Sequence, residues 1–187
     1  MAVDRPAVPP RTFVPVSDPA ARPRLRRATV RLLVVDPDGR MLLFRDSDPN
    51  LDGSWWITPG GGIDPGETEA AAAVRELREE TGHEIGGHQL VGPLARRRVL
   101  HGYTDRVLDQ DDVFYLVRTP AFEVSTAGYT EEEKVTMLGH RWWTRAELAT
   151  TDETIWPANL LDLLALSGRP GDWPATLPDA EESSTPG

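Results

Sequence analysis

The chain has 187 residues, of which 39% are hydrophobic and 27% charged, enough to bury the core of one domain. Its formal net charge is −10 and it has no cysteine, so disulfides and thiolate metal sites are excluded. Such a surface repels nucleic acid and anionic membranes in general, so an anionic substrate needs a local basic patch or a bound cation. No stretch approaches a membrane span, and the start, Met1-Ala-Val-Asp-Arg-Pro, lacks an apolar run of signal-peptide length, so a cytoplasmic location is expected.

Residues 1–23 are rich in Pro, Ala and Arg with no helical or strand period, and are expected to form a mobile or extended arm. Within it Phe13, Val14 and Val16 form a small apolar cluster that could pair with a sheet edge or a second subunit. The body is expected over 24–168. "ATVRLLVVD" reads as a strand, Asp36-Pro37-Asp38-Gly39 as a turn and "RMLLFR" as the returning strand. Trp55-Trp56-Ile57 reads as a short strand. "ARRRVL" and "DVFYLVR" read as two more around a polar loop at 101–111, and "GHRWW" as another. Thr144 to Glu147 matches a capping box that opens a helix, and an amphipathic helix follows from Pro157 to Leu166 with Gly168 as its stop. Residues 169–187 read as a flexible tail, with Trp173 as the one residue that could dock on the body or cover a cleft. Strands with a helix in the middle and helices at the end argue for an α/β fold with a mixed sheet covered by helices. An exposed "TVRLLVV" edge could pair subunits into a homodimer.

Chemistry concentrates in "GGGIDPGETEAAAAVRELREETG", residues 60–82. Thr68 is suited to cap a helix that runs to Thr81, with Gly82 as its stop. At roughly 100° per residue, Ala70, Ala73, Val74, Leu77 and Thr81 share one face. Glu69, Glu76, Glu79 and Glu80 share another, with Ala72 leaving room beside them. A solvated helix would intersperse lysines to relieve this charge. Here the only cations are Arg75 and Arg78. Clustered carboxylates on a rigid face suit a hard divalent cation, Mg²⁺ or Mn²⁺, which leaves coordination positions to water and substrate phosphate. The glycine turn can bring backbone groups to the same ion and phosphate.

The spacing from Gly61 through Glu67, Arg75-Glu76-Leu77 and Glu79-Glu80 to Gly82 resembles the Nudix box, G-x5-E-x7-R-E-U-x-E-E-x-G-U, where U is a bulky aliphatic residue. Only the last U departs, with His83 in its place, and Ile85 could take over its packing. The approach through Trp56-Ile57-Thr58-Pro59 also resembles the family. The resemblance implies a Nudix fold, an α/β/α sandwich with a mixed β-sheet. It also implies a metal-dependent hydrolase that cleaves a pyrophosphate bond in a nucleoside di- or triphosphate derivative. It makes Glu76, Glu79 and Glu80 the metal carboxylates and the Gly60 carbonyl a further ligand. Glu79, Glu80 and Arg75 become the catalytic group, Arg75 orienting a box glutamate, and Glu67 a structural or outer acid. The general base in the family lies in the box or on a distant loop. Outside the box Asp112, Glu131, Glu132 and Glu133 are candidates for a base or extra ligand.

Arg96 and Arg98 point the same way in a strand and could hold a substrate phosphate. Trp55 or Trp56 could stack on a base. "WPAN", Trp156 to Asn159, resembles a segment of Nudix hydrolases that remove oxidised guanine nucleotides, in which the Asn reads the base. Trp142 and Trp143 look like packing residues, and His101 and His140 lack metal spacing. A Nudix-fold sensor that binds nucleotides without turnover is the alternative, although such proteins usually lose box acids, which are retained here. An isoprenoid diphosphate isomerase on this fold is disfavoured by the lack of cysteine.

Overall fold

The computed structural model describes residues 8–185; the first seven residues of the expected arm and the last two of the tail lie outside the described residues. Among the described residues, nine strands join in one mixed sheet. Its spine is β1 (Arg24–Val35) paired in parallel along its whole length with β5 (Val107–Arg118). β4 (Leu90–Gly102) runs antiparallel to β5, with Arg98 opposite Asp111. On the other side β1 turns into β2 (Met41–Asp46) at Val35–Met41, and β2 then lies between β3 (Trp55–Ile57) and β6 (Met137–Trp143). A two-residue strand, β7 (Ile155–Trp156), pairs in parallel with β3.

Strand alternation divides the side chains between two cores. Val30, Leu32 and Val34 of β1 face α1 (Glu69–Thr81), where they meet Ala72, Ala73 and Leu77. Leu33 and Val35 face α4 (Leu160–Leu166), where Trp143, Leu160, Leu163 and Leu166 close the layer. Helices thus cover both faces, as in an α/β/α sandwich. Two shorter helices, α2 (Glu133–Thr136) and α3 (Arg145–Thr150), flank β6, and Thr144 caps α3 in a full capping box. No helix among the described residues is long and apolar enough to cross a membrane.

Four features differ from the sequence reading. The polar loop expected at 101–111 is mostly strand, because Asp109 pairs with Arg98 at 2.5 Å and Gln110 accepts from Arg27 at 2.6 Å. Cross-strand charge pairs and hydrogen bonds replace the apolar alternation that normally marks a strand. The "TVRLLVV" segment is no edge: it lies in β1, covered by β5. The tail is docked, adding β8 (Ala175–Thr176) and β9 (Ala180–Glu181) to β4. Trp173 packs against the end of α4, donating to the Leu166 carbonyl at 2.8 Å. Glu182 pins the tail further, its carboxylate taking both terminal nitrogens of buried Arg97 at 2.7 Å. The arm is docked as well: Val16 N–H donates to the Thr104 carbonyl at 2.9 Å, while Val14 stays 65% exposed.

Arg97 and Glu182 have side chains only 4% exposed. Removing one partner strands the other charge, so Glu182→Ala should destabilise the fold by about 3–5 kcal/mol, measured by urea unfolding. A loss under about 1 kcal/mol, the range of surface pairs, would mean that the tail does not stay docked in solution.

Candidate active site

The site begins with a helix and the loop laid over it. Thr68 caps α1 by accepting from Ala71 N–H at 3.2 Å, and Gly82 ends it with a left-handed φ of 72°. His83 stacks on Phe122 at 4.0 Å, while Ile85 fills the core under α1 in place of the aliphatic residue expected at 83. The buried face is rotated from the one read in the sequence. Ala72, Ala73, Glu76, Leu77, Glu80 and Thr81 are buried, whereas Ala70 is exposed and Val74 half-buried. Two of the acids therefore lie on the inner side of the helix, because the glycine loop rather than solvent covers them.

Glycine is required for that cover. A Cβ on Gly60, whose φ is 127°, would lie 2.2 Å from the Val30 carbonyl oxygen. One on Gly61 would lie 2.7 Å from the Glu76 carboxylate. The loop is stitched to β1 by Leu32 N–H to the Pro59 carbonyl at 2.8 Å and Val30 N–H to the Gly61 carbonyl at 2.9 Å. Gly60 N–H donates to Glu80 at 2.8 Å, and the Gly60 carbonyl accepts from Arg31 at 3.3 Å.

Arg75 holds the acids together. It donates to Glu67 at 2.8 Å, to Glu76 at 2.8 Å, to Glu79 at 3.2 Å and to the Gly62 carbonyl at 2.8 Å. Hydrogen bonding to Arg75 keeps the Glu67 carboxyl below its ordinary pKa. Burial raises Glu76, although Arg75 opposes the rise. Burial and the neighbouring Glu76 charge push Glu80 well above the usual carboxylate range.

Gly60 to Gly62, Arg75, Glu76, Glu79 and Glu80 line a cavity of about 280 Å³. Its other walls carry Arg27 and Arg31 from β1, Asp46, Tyr103, Glu132 and Glu133. Arg27, with Gln110 as its hydrogen-bond acceptor, and Arg31 were missed in the sequence, yet a two-residue period was visible there. Arg27, Thr29 and Arg31 alternate with Ala28, Val30 and Leu32, which places all three on one face. Asp46, whose burial raises its pKa to about 6, also escaped notice.

The cavity does not include the other sequence candidates. Arg96 pairs with Glu69 of α1 at 2.7 Å and Arg98 with Asp109 at 2.5 Å, both half-exposed on β4 and pointing away from the Arg97 face. Trp56 is buried against Trp143, its indole N–H on Glu153 at 2.6 Å, and Trp55 packs on Trp156 at 4.8 Å. Asn159 stands at the start of α4 beside a separate surface pocket. Asp112 is fully buried behind the site. It accepts from Thr29 and from Arg97 at 3.2 Å, and it lies 3.9 Å from Arg31. Burial opposes its ionisation, but Arg31 and Arg97 hold its carboxyl below the usual range. Glu131 is exposed and paired with Lys134 at 2.5 Å.

The oxygen-only donors and the glycine cradle fit a hard divalent cation. Among the described residues, no three acids or imidazoles yet converge tightly enough to enclose one. Arg75 donates to the Glu76 and Glu79 carboxylates, and the Gly60 N–H to that of Glu80.

His101 lies in the wall behind Arg31, its Nδ1 2.6 Å from the Glu182 carbonyl. Burial, with Arg31 nearby, lowers its pKa to about 4 despite Asp112 and Glu182. The neutral ring is the one that fits. Its contribution is complete above the unfolded value of about 6.5 and is lost as pH falls toward the folded value, at roughly 1.4 kcal/mol per pH unit. The gap in urea stability between about pH 7 and pH 5 should therefore shrink in His101→Gln; an unchanged gap would remove His101 from the acid response.

The NUDIX domain model matches residues 25–164. An RNA pyrophosphohydrolase of Gluconobacter oxydans is 40% identical over 67 residues, 36% of this chain and 37% of that protein. An RNA pyrophosphohydrolase of Novosphingobium aromaticivorans is 42% identical over 77 residues, 41% of this chain and 45% of that one. The chain thus spans less than half the length of these curated relatives. In structure it is similar to a MutT protein from Methanosarcina mazei, with a TM-score of 0.55 and 19% identity over 81% of this chain and 97% of that one. It is also similar to the E. coli ORF135 protein, with a TM-score of 0.53 and 22% identity over 82% and 98%. At these identities the structural likeness concerns the fold.

Proposed function

The chain belongs to the Nudix family, and from that premise we propose that it is a metal-dependent hydrolase cleaving a pyrophosphate bond in a nucleoside di- or triphosphate derivative. The observation that carries this reading is one cavity that joins Glu76, Glu79 and Glu80 on one side to Arg27 and Arg31 on another. Acids that could hold a cation and arginines that could hold a phosphate face the same space.

In this reading Glu76, Glu79 and Glu80, with the Gly60 carbonyl, hold Mg²⁺ or Mn²⁺. The ion when bound neutralises phosphate oxygens and acidifies water. Arg75 keeps Glu76 and Glu79 at their places on the helix. Arg31 already contacts the Gly60 carbonyl, so it sits where a diphosphate would bridge the acidic and basic walls. Arg27 stands two strand periods away on the same face and orients the rest of the phosphate chain. Glu79 or Glu80 takes the proton of the attacking water, and Glu132 offers a second acceptor at the wall. Small nucleotides suit the net charge of −10 better than long nucleic acid. The relatives' names make an RNA that carries a pyrophosphate linkage the necessary comparison.

The test is turnover with Mg²⁺ or Mn²⁺ on a panel that includes nucleoside triphosphates, ADP-ribose, dinucleoside polyphosphates and that RNA, scored for phosphate, pyrophosphate and monophosphate. Glu80→Gln keeps the shape and removes a charge, and should lower kcat by roughly 10²-fold or more. Equal turnover in Glu80→Gln at saturating Mg²⁺ would sink the assignment. Binding without turnover in the wild type would favour the sensor.

Metal should also register in stability. Glu76 and Glu80 have raised carboxyl pKa values, so the metal-free fold loses stability as pH rises from the unfolded carboxyl range through the raised folded values. A divalent cation removes that loss and competes with the same protons. The melting temperature should rise with Mg²⁺, by the equivalent of about 2.7 kcal/mol at a hundredfold excess over Kd. The gain should be larger near about pH 8 than near pH 5. A gain independent of pH would place the ion elsewhere.

A further inference from the structure

Residues 9–16 form a strap tied to the loops around the cavity. The Pro9 carbonyl accepts from Arg106 at 2.8 Å and the Phe13 carbonyl from Asn50 at 3.0 Å. Between them Arg11 is locked in place. Its guanidinium lies between the rings of Phe13 and Tyr103, at 4.7 and 4.5 Å from their centroids. It donates to Asp105 at 2.7 Å and to Asp48 at 3.0 Å, and its side chain is only 3% exposed. Asp48 is fully buried and also accepts from Thr104 N–H at 2.9 Å. Arg11 therefore joins the loop after β2 to the loop between β4 and β5.

Two carboxylates already neutralise the Arg11 side chain, so it is poorly placed to bind a phosphate. What it presents to the site is its main chain. Arg11 N–H donates to the Glu132 carboxylate at 3.2 Å. The neighbouring Glu133 is fixed differently, by Thr130 N–H at 2.7 Å and Thr130 Oγ at 2.8 Å. Glu132 precedes α2 without capping it through its side chain. We infer that Arg11 is a positioning residue of the active site: anchored by Asp48 and Asp105, it holds Glu132 at the cavity wall. The N-terminal segment is then part of the catalytic apparatus rather than a dispensable arm. This rests on the hydrolase reading for its effect on turnover, but not for its effect on the loop.

The experiment uses the full chain with Arg11→Ala, Arg11→Lys, Glu132→Gln and the double variant Arg11→Ala/Glu132→Gln. Arg11→Ala should speed amide exchange at Thr130–Thr136 while the strands of the core stay protected. On the best substrate of the panel it should lower kcat by on the order of tenfold to a hundredfold, with a smaller change in KM. Arg11→Lys should recover part of that loss. In the Glu132→Gln background, Arg11→Ala should cost little more, because the two act as one unit. Should Arg11→Ala fail to fold, Asp105→Asn weakens the same anchor and must show the same loop exchange and kcat loss. Unchanged exchange at 130–136, or additive losses in the double variant, would overturn the inference. If the wild type hydrolyses nothing on the panel, the hydrolase reading fails, and loop exchange alone decides whether Arg11 holds Glu132.

Discussion

Everything at the site depends on one guanidinium. Three glutamates within five positions of one helix repel one another, and unit charges about 4 Å apart at an effective dielectric near 20 interact by about 4 kcal/mol. Arg75 meets this repulsion with hydrogen bonds to Glu67, Glu76 and Glu79. Its remaining reach goes to the Gly62 carbonyl, which ties the helix to the loop that covers it. Glu80 receives only the Gly60 N–H, which does not offset the burial and the Glu76 charge that raise its proton affinity. Arg75 leaves one buried carboxyl, Glu80, without a cationic hydrogen-bond partner.

The loop carries that local order into the sheet. Gly60 and Gly61 let backbone lie against β1 and against Glu76 at distances that no side chain allows. The hydrogen bonds from Val30 and Leu32 to the loop fix its register on β1. Arg27 and Arg31 lie on the same strand, so that register also sets their distance from the acids. A shift of one residue would turn both arginines to the other face of the sheet. The acidic and basic halves of the cavity are thus positioned by one set of backbone contacts.

How much of this could be read in advance follows from how local each cause is. The box was legible because its residues act within 22 positions, through helix period, cap and glycine turn. The strand identity of 101–111 was hidden because its polar residues are satisfied across strands, Asp109 by Arg98 and Gln110 by Arg27. The docked tail was hidden because Glu182 meets Arg97 from 85 positions away. The buried face of α1 was misjudged by about one position because apolar character was equated with burial. In fact Glu76 and Glu80 are buried, and exposed Ala70 is not. Arg11 carried no sequence signal beyond its charge. Its role comes from Asp48, Asp105 and Glu132, which only the fold brings together.

The remaining question is how a strongly acidic protein could receive an anion. Net charge opposes the approach, and several arginines near the site are already neutralised. Arg11 is balanced by Asp48 and Asp105, and Arg97 by Glu182 and Asp112. Arg27 differs, because its hydrogen-bond partner is the neutral amide oxygen of Gln110. Burial, together with nearby Arg31, pulls its pKa below the usual value, so the metal-free protein carries an incompletely compensated cation at the cavity wall. Opposite it stand the Glu76 and Glu80 carboxyls, raised by burial and by neighbouring acids. Both walls are individually unfavourable, and a diphosphate bound with a divalent cation would relieve both at once. The phosphate would answer Arg27 and the ion would answer Glu80. Each ligand should therefore bind more tightly in the presence of the other, because cation and phosphate together answer both walls.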